Sequence, residues 1–203
     1  MKNIFIVSYE CDTLKNYFLL CNKDIQSFIK SHDETIKAYC EHNTCNRSLL
    51  HEKLSSYNDD YIVSIYAHGN DDTVVDNEQN DLINMVDAKV SYNGAIVYAT
   101  SCYTANTLGK EMHSYNCKFF FGYTDKSYVV LSEKELFIEL DNFALKKIFL
   151  TNSIDGKSIS DATDNFFWDK VKEVETINPM LAPLIMHNKE AFKIYHNRIE
   201  YPN

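Results

Sequence analysis

Two short stretches carry residues that could cleave an acyl bond together. The run YIVSIYAHG, residues 61–69, ends in His68 and Gly69, and the run AIVYATSC, residues 95–102, ends in Cys102. A thiol attacks a carbonyl carbon as its thiolate, so it needs a base to take its proton and an environment that favours the anion. His68 is such a base. Gly69 has no Cβ, so its backbone can approach a reacting group closely. Its N–H and that of Cys102 could together hold the oxygen that turns anionic as the carbonyl is attacked. Each residue alone also has a plain structural reading, since free cysteines are commonly buried and histidines commonly sit in turns. Both types at the ends of apolar runs, one followed by glycine, favour chemistry.

The elements around them must form strands for this to work. Residues 61–67 and 95–100 are apolar, β-branched and aromatic, and so are 3–9 (NIFIVSY) and 118–123 (KFFFGY). Such runs predict buried strands. Between them the pattern turns helical. Ile25, Phe28 and Ile29 repeat at helical spacing, as do Ile36, Tyr39 and Cys40, with a break at residues 31–33. Leu49, Leu50 and Leu54 predict a short helix. Residues 103–113 predict a helix directly after Cys102, whose dipole would favour the thiolate. A further helix spans 132–149, opened by a capping box, SEKE, and another spans 158–174. Residues 70–84 read as a small hairpin or a mobile loop, Asn93-Gly94 as a turn, and 192–195 as a last strand. This order predicts an α/β fold with a mostly parallel sheet, in a single domain over residues 1–203. In such sheets ligands bind at the carboxyl ends of the strands, where His68 and Cys102 would lie.

Composition excludes several functions. The chain has 203 residues, 45% hydrophobic and 24% charged, with a net charge of −9. It shows no cluster of Lys and Arg, so nucleic acid is not an expected partner. No run approaches the length of a membrane span, and the first residues carry no signal-peptide core, so a cytoplasmic protein with free thiols is expected. No glycine-rich phosphate loop occurs, and no cofactor is expected. Residues 40–45, CEHNTC, offer three zinc-ligand types but no second knuckle, so no metal is expected and Cys40 reads as a buried residue at a helix end. His113 and Cys117 fall at the opposite edge of the expected sheet, and His187 and His196 read as structural or surface groups.

The pair YIVSIYAHG and AIVYATSC resembles the caspase-like clan of cysteine peptidases, which includes caspases, legumains, gingipains, separases and the bacterial CHAT-type proteases. The resemblance covers about residues 61–124 well and 3–9 weakly, and is nearest to the CHAT-like bacterial branch. It implies a three-layer αβα sandwich and hydrolysis of a protein substrate without a metal. Cys102 would be the nucleophile and His68 the base and acid, with the oxyanion on the N–H groups of Gly69 and Cys102. It also implies that an activating protein partner could control the enzyme, with residues 70–84 as the moving segment. Branches that cut after Arg or Lys often carry Asp two positions before the cysteine, and caspases carry Gln. Here Thr100 stands in that place, so the substrate-binding residues are open. Glu10, Asp12 and Asp125, each near a strand end, could receive a basic side chain, and cleavage after a small or apolar residue is equally compatible. The rival reading is a catalytically silent module of the same fold that binds a protein partner. A flavodoxin-like ligand binder is more remote.

Overall fold

A computed structural model describes residues 3–9, 12–33, 35–42, 45–57, 61–76, 78–88, 92–151 and 155–196. In chain order the elements are β1 (Asn3–Ser8), α1 (Lys15–His32), β2 (Lys37–His42), α2 (Arg47–Ser55), β3 (Tyr61–Tyr66), β4 (Thr73–Val75), β5 (Asp81–Asn84), α3 (Met85–Ala88), β6 (Ile96–Ala99), α4 (Leu108–Ser114), β7 (Phe119–Tyr123), α5 (Lys134–Leu150), α6 (Gly156–Ile177), α7 (Ala182–Ala191) and β8 (Phe192–His196). Six strands form one sheet in the order β2-β1-β3-β6-β7-β8. All pairs are parallel except β7 with β8. β4 and β5 make a separate antiparallel hairpin.

Strand alternation divides the core into two layers. Ile4, Ile6, Ile62, Tyr66, Ile96, Tyr98, Phe119 and Phe121 face α1, α5, α6 and α7. Phe5, Val7, Val63, Ile65, Val97, Ala99 and Phe120 face α2, α4 and the hairpin. Because both faces are covered, β3, β6 and β7 are buried at every position, which is why they read as unbroken apolar runs. Each large apolar side chain buried this way contributes about 1.5–3 kcal/mol. The expected three-layer α/β architecture with a mostly parallel sheet is the one found.

Local chemistry sets the helix ends. The Asp155 side chain accepts from the N–H groups of Lys157 and Ser158 and starts α6. Pro179 opens a 3-10 turn and Pro183 stands in the first turn of α7, where a missing N–H does no harm. The tail thus holds a helix that the sequence pattern did not indicate. Two expectations are corrected. Ser132 lies in a 3-10 turn (Leu131–Glu133), and no side chain caps the start of α5, so SEKE does not act as a capping box. Ile36, Tyr39 and Cys40 do not share a helix. Residues 37–42 form edge strand β2, where Tyr39 pairs with Phe5 and stacks on its ring at 5.1 Å. No helix among the described residues is long and apolar enough to cross a membrane.

Candidate active site

The site is built where three neighbouring parallel strands end. Ile65 on β3 is in register with Ala99 on β6, and the Thr100 N–H donates to the Ile65 carbonyl at 3.1 Å. His68 and Cys102 each stand three residues beyond that pair. Adjacent strands lie about 4.8 Å apart, so the two residues stand on neighbouring loops. Both are half-buried. The Phe18 ring, from the first turn of α1, packs edge-to-face with the His68 imidazole, with centroids 5.6 Å apart.

Gly69 shows how tightly these loops meet. A Cβ there would come 2.7 Å from Thr104 Cγ2, 2.9 Å from Ser101 Cβ and 3.0 Å from the Cys102 carbonyl oxygen. Only glycine fits, because any other residue would push the histidine loop away from the cysteine loop. The Asn70 N–H and the His68 carbonyl both pair with β4, so the segment after Gly69 turns straight into the hairpin. Residues 70–84 are therefore a hairpin anchored beside His68.

The turn after Cys102 differs from the expectation of a helix there. Tyr103 adopts a left-handed conformation, φ 64°, which is costly for a residue with a side chain. The Tyr103 N–H then donates to the Asp125 carbonyl and the Ala105 N–H to the Tyr123 carbonyl. These cross-strand bonds hold residues 103–106 to the end of β7 and stop them from winding into a helix. α4 starts only at Leu108, with the N–H groups of Thr107 and Leu108 donating to the Asp71 carbonyl. Its dipole does not begin at Cys102.

A different donor takes that place. The loop following β7 folds back over the cysteine, and the Ser127 N–H donates to Cys102 Sγ at 3.4 Å, with Ser127 Oγ at 4.0 Å. The Asn106 amide ties all three loops together, donating to Asp71 Oδ1 at 2.8 Å and to the Thr124 carbonyl at 2.9 Å. Ser127, Asn106, Asp71 and Phe18 have no signature in the sequence, since their roles come from contacts between distant segments.

Of the residues considered for substrate contact, Thr100 is 4% exposed, and its hydroxyl lies 3.4 Å from the Ile65 carbonyl. Asp125 is exposed on the rim, one loop from Cys102. The Lys126 N–H and then the Tyr103 hydroxyl hold its carboxyl below the usual range, and His187 Nε2 lies 3.8 Å away. Asp12 begins a 3-10 turn after β1, and Glu10 lies outside the described residues.

Beneath the site Asp141 of α5 is buried. It accepts from the Tyr17 hydroxyl at 2.6 Å and from the Tyr123 hydroxyl at 2.5 Å, while the Tyr98 hydroxyl donates to its backbone carbonyl. Burial pushes its carboxyl up to about 6 against the pull of these donors. The cluster ties α1, β6 and β7 to α5 under the strand ends. Among the described residues no three His, Cys, Asp or Glu side chains stand close enough to hold a metal ion. Cys40 lies in β2 and Cys45 follows it, and burial pushes their thiols up to about 11 and about 12.

No known family model matches the chain, and no curated protein matches it. Among solved structures it is similar to a secreted C11 cysteine protease from Bacteroides thetaiotaomicron, in complex with an irreversible peptide inhibitor. The two are 11% identical, with a TM-score of 0.43 over 61% of this chain. The chain spans 49% of the length of that protein.

Proposed function

We propose that the chain is a cysteine endopeptidase of the caspase-like kind, acting through Cys102 and His68. The observation that carries this reading is the wedge at Gly69, which seats the histidine loop directly on the cysteine turn. The half-buried setting of Cys102 supports it too, as does the sequence resemblance of the two strand ends to that clan.

In this mechanism His68 takes the proton from Cys102 as Sγ attacks the carbonyl carbon of the scissile bond. The oxygen of the tetrahedral intermediate lies on the N–H groups of Gly69 and Cys102, neither of which has a protein acceptor among the described residues. His68 then passes the proton to the leaving amine, and the C–N bond breaks to give a thioester. Water, deprotonated by His68, attacks the thioester carbonyl, and the Cys102 sulfur departs with the proton returned. Asp125, exposed where its carbonyl accepts from the Tyr103 N–H, would receive a basic side chain of the substrate. A protein substrate fits this chemistry. An activating partner would act on the hairpin of residues 70–84, which is covalently continuous with His68-Gly69.

The test is covalent labelling by an electrophilic peptide library together with cleavage of fluorogenic peptides. Cys102→Ala and His68→Ala should each lose cleavage by 10³-fold or more while staying folded. Cleavage surviving in Cys102→Ala would overturn the assignment. A folded wild type that no peptide electrophile labels would favour a silent binding module instead.

A further inference from the structure

The loop after β7 does more than close the site. Hydrogen bonds fix it to α7. The buried Asn188 amide accepts from the Tyr128 N–H at 2.7 Å and donates to the Tyr128 carbonyl at 2.8 Å, as a neighbouring strand would. The Thr124 N–H donates to the Ala191 carbonyl at 2.8 Å, and His187 Nε2 lies 2.9 Å from the Lys126 carbonyl. Ser127 sits between the residues so fixed, with its N–H aimed at Cys102 Sγ.

We propose that the Ser127 N–H is the donor that steadies the Cys102 sulfur as it becomes anionic, and that the Asn188 amide holds it there. Ser127 is then a catalytic residue through its backbone, and Asn188 is a positioning residue. This rests on the reading of Cys102 as the nucleophile. The physical case is direct. The dipole of α4 begins six residues downstream of Cys102, at Leu108, so it does not serve the sulfur. An amide fixed in place before the reaction needs no reorganisation when charge develops. Hydrogen bonds to an ion are about twice as strong as neutral ones. Asn188 is 2% exposed and its amide is matched at both ends by one backbone unit, so the loop cannot drift without breaking two bonds.

The rival role for the same loop is a shield that merely covers the thiol. Alkylation by iodoacetamide separates the two, because the small neutral reagent needs no peptide site. In that reaction an S–C bond forms as iodide leaves, and the thiol proton goes to solvent or base. The rate at Cys102 at fixed pH is read by mass spectrometry in the full chain. Asn188→Ala is expected to slow it roughly tenfold, the worth of one hydrogen bond to an ion. Ser127→Pro, which removes the N–H, should match that loss. Ser127→Ala, which keeps the N–H, should change the rate by no more than about twofold, the weight expected of a 4.0 Å contact. If either loop variant is folded and alkylates as fast as wild type or faster, the loop is a shield and the proposal falls. It also falls if Ser127→Ala alone reproduces the full loss. Asn188→Ala and Ser127→Pro are independent routes, so a fold defect in one leaves the other decisive. Peptide cleavage is scored separately: loss of the alkylation effect breaks this inference, whereas cleavage surviving in Cys102→Ala breaks the assignment of the nucleophile.

Discussion

The two ends of the sheet carry the same pair of residue types in opposite settings. At the carboxyl end, His68 and Cys102 stand on loops, half-buried, with a backbone N–H on the sulfur. At the amino end, Cys117, just before β7, is buried in an apolar layer, and the half-buried His113 of α4 stacks on the Tyr195 ring. The Cys117 thiol donates to the carbonyls of Ala95 and Phe119 at 3.3 and 3.0 Å, and burial pushes it up to about 12. Burial, and then His196 nearby, holds the His113 imidazole below its usual value. The Cys117 sulfur thus donates to two carbonyls, whereas the Cys102 sulfur accepts from the Ser127 N–H. What separates a candidate nucleophile from a structural cysteine here is the direction of the hydrogen bond at sulfur, not the company of a histidine.

That contrast can be broken most sharply by chemistry. In the folded protein Cys102 should be alkylated at least 10³-fold faster than Cys117, with Cys117 reacting only when the chain unfolds. Peptide mapping after timed labelling measures both at once. Equal rates would show that the two ends do not differ in the way the hydrogen bonds imply. Cys117→Ala should leave labelling of Cys102 intact and lower stability by about 1–2 kcal/mol, read from urea unfolding.

A second break lies at Gly69. The Gly69→Ala methyl would meet three atoms at 3.0 Å or less, two of them on Ser101 and Thr104. The histidine loop must retreat, and a displacement approaching 1 Å at a catalytic pair costs about a hundredfold in rate. The expected result is a hundredfold fall in kcat/KM with about 1–3 kcal/mol lost in stability. Gly94→Ala, in the turn at the amino end with φ 75°, should cost stability alone. If both variants keep full activity, closeness of the two loops is not what the site requires.

Much of this contrast was legible in the sequence, and the reason is burial. β1, β3, β6 and β7 are covered on both faces, so each leaves an unbroken apolar run and its end is easy to place. His68, Gly69 and Cys102 stand out because they punctuate those runs. β2 was misread because an edge strand with polar neighbours has no such run, and Ile36, Tyr39 and Cys40 fall by chance at helical spacing. The turn at 103–107 was misread for another reason. Its N–H groups bond to Asp125, Tyr123 and Asp71, which are distant in the chain, and local pattern does not register such partners. Ser127, Asn106 and Asn188 were invisible on the same grounds. The sequence thus displays the candidate reacting groups but not the loops that hold them.

The smaller effects concern what lies beneath each end, and there pH acts in opposite senses. Asp141, under the carboxyl end, keeps its proton in the fold up to about pH 6, whereas the unfolded chain gives it up near the ordinary 3.8. Its contribution is full below about pH 4 and is lost as pH rises through 6, amounting to about 3 kcal/mol at most. Asp141→Asn removes that titration while keeping an oxygen for one tyrosine. The variant should therefore gain on wild type between pH 4.5 and 7 in urea unfolding. A difference independent of pH would mean that the carboxyl is ionised throughout. His113, under the amino end, behaves oppositely. Its lowered value means that the fold prefers the neutral ring, so stability is full above the ordinary value of 6.5 and falls as acid drives protonation. His113→Phe should flatten this acid arm and leave the arm due to Asp141 untouched, since the two groups sit at opposite ends of the sheet. An acid arm unchanged in His113→Phe would assign it to other histidines and remove the second half of the contrast.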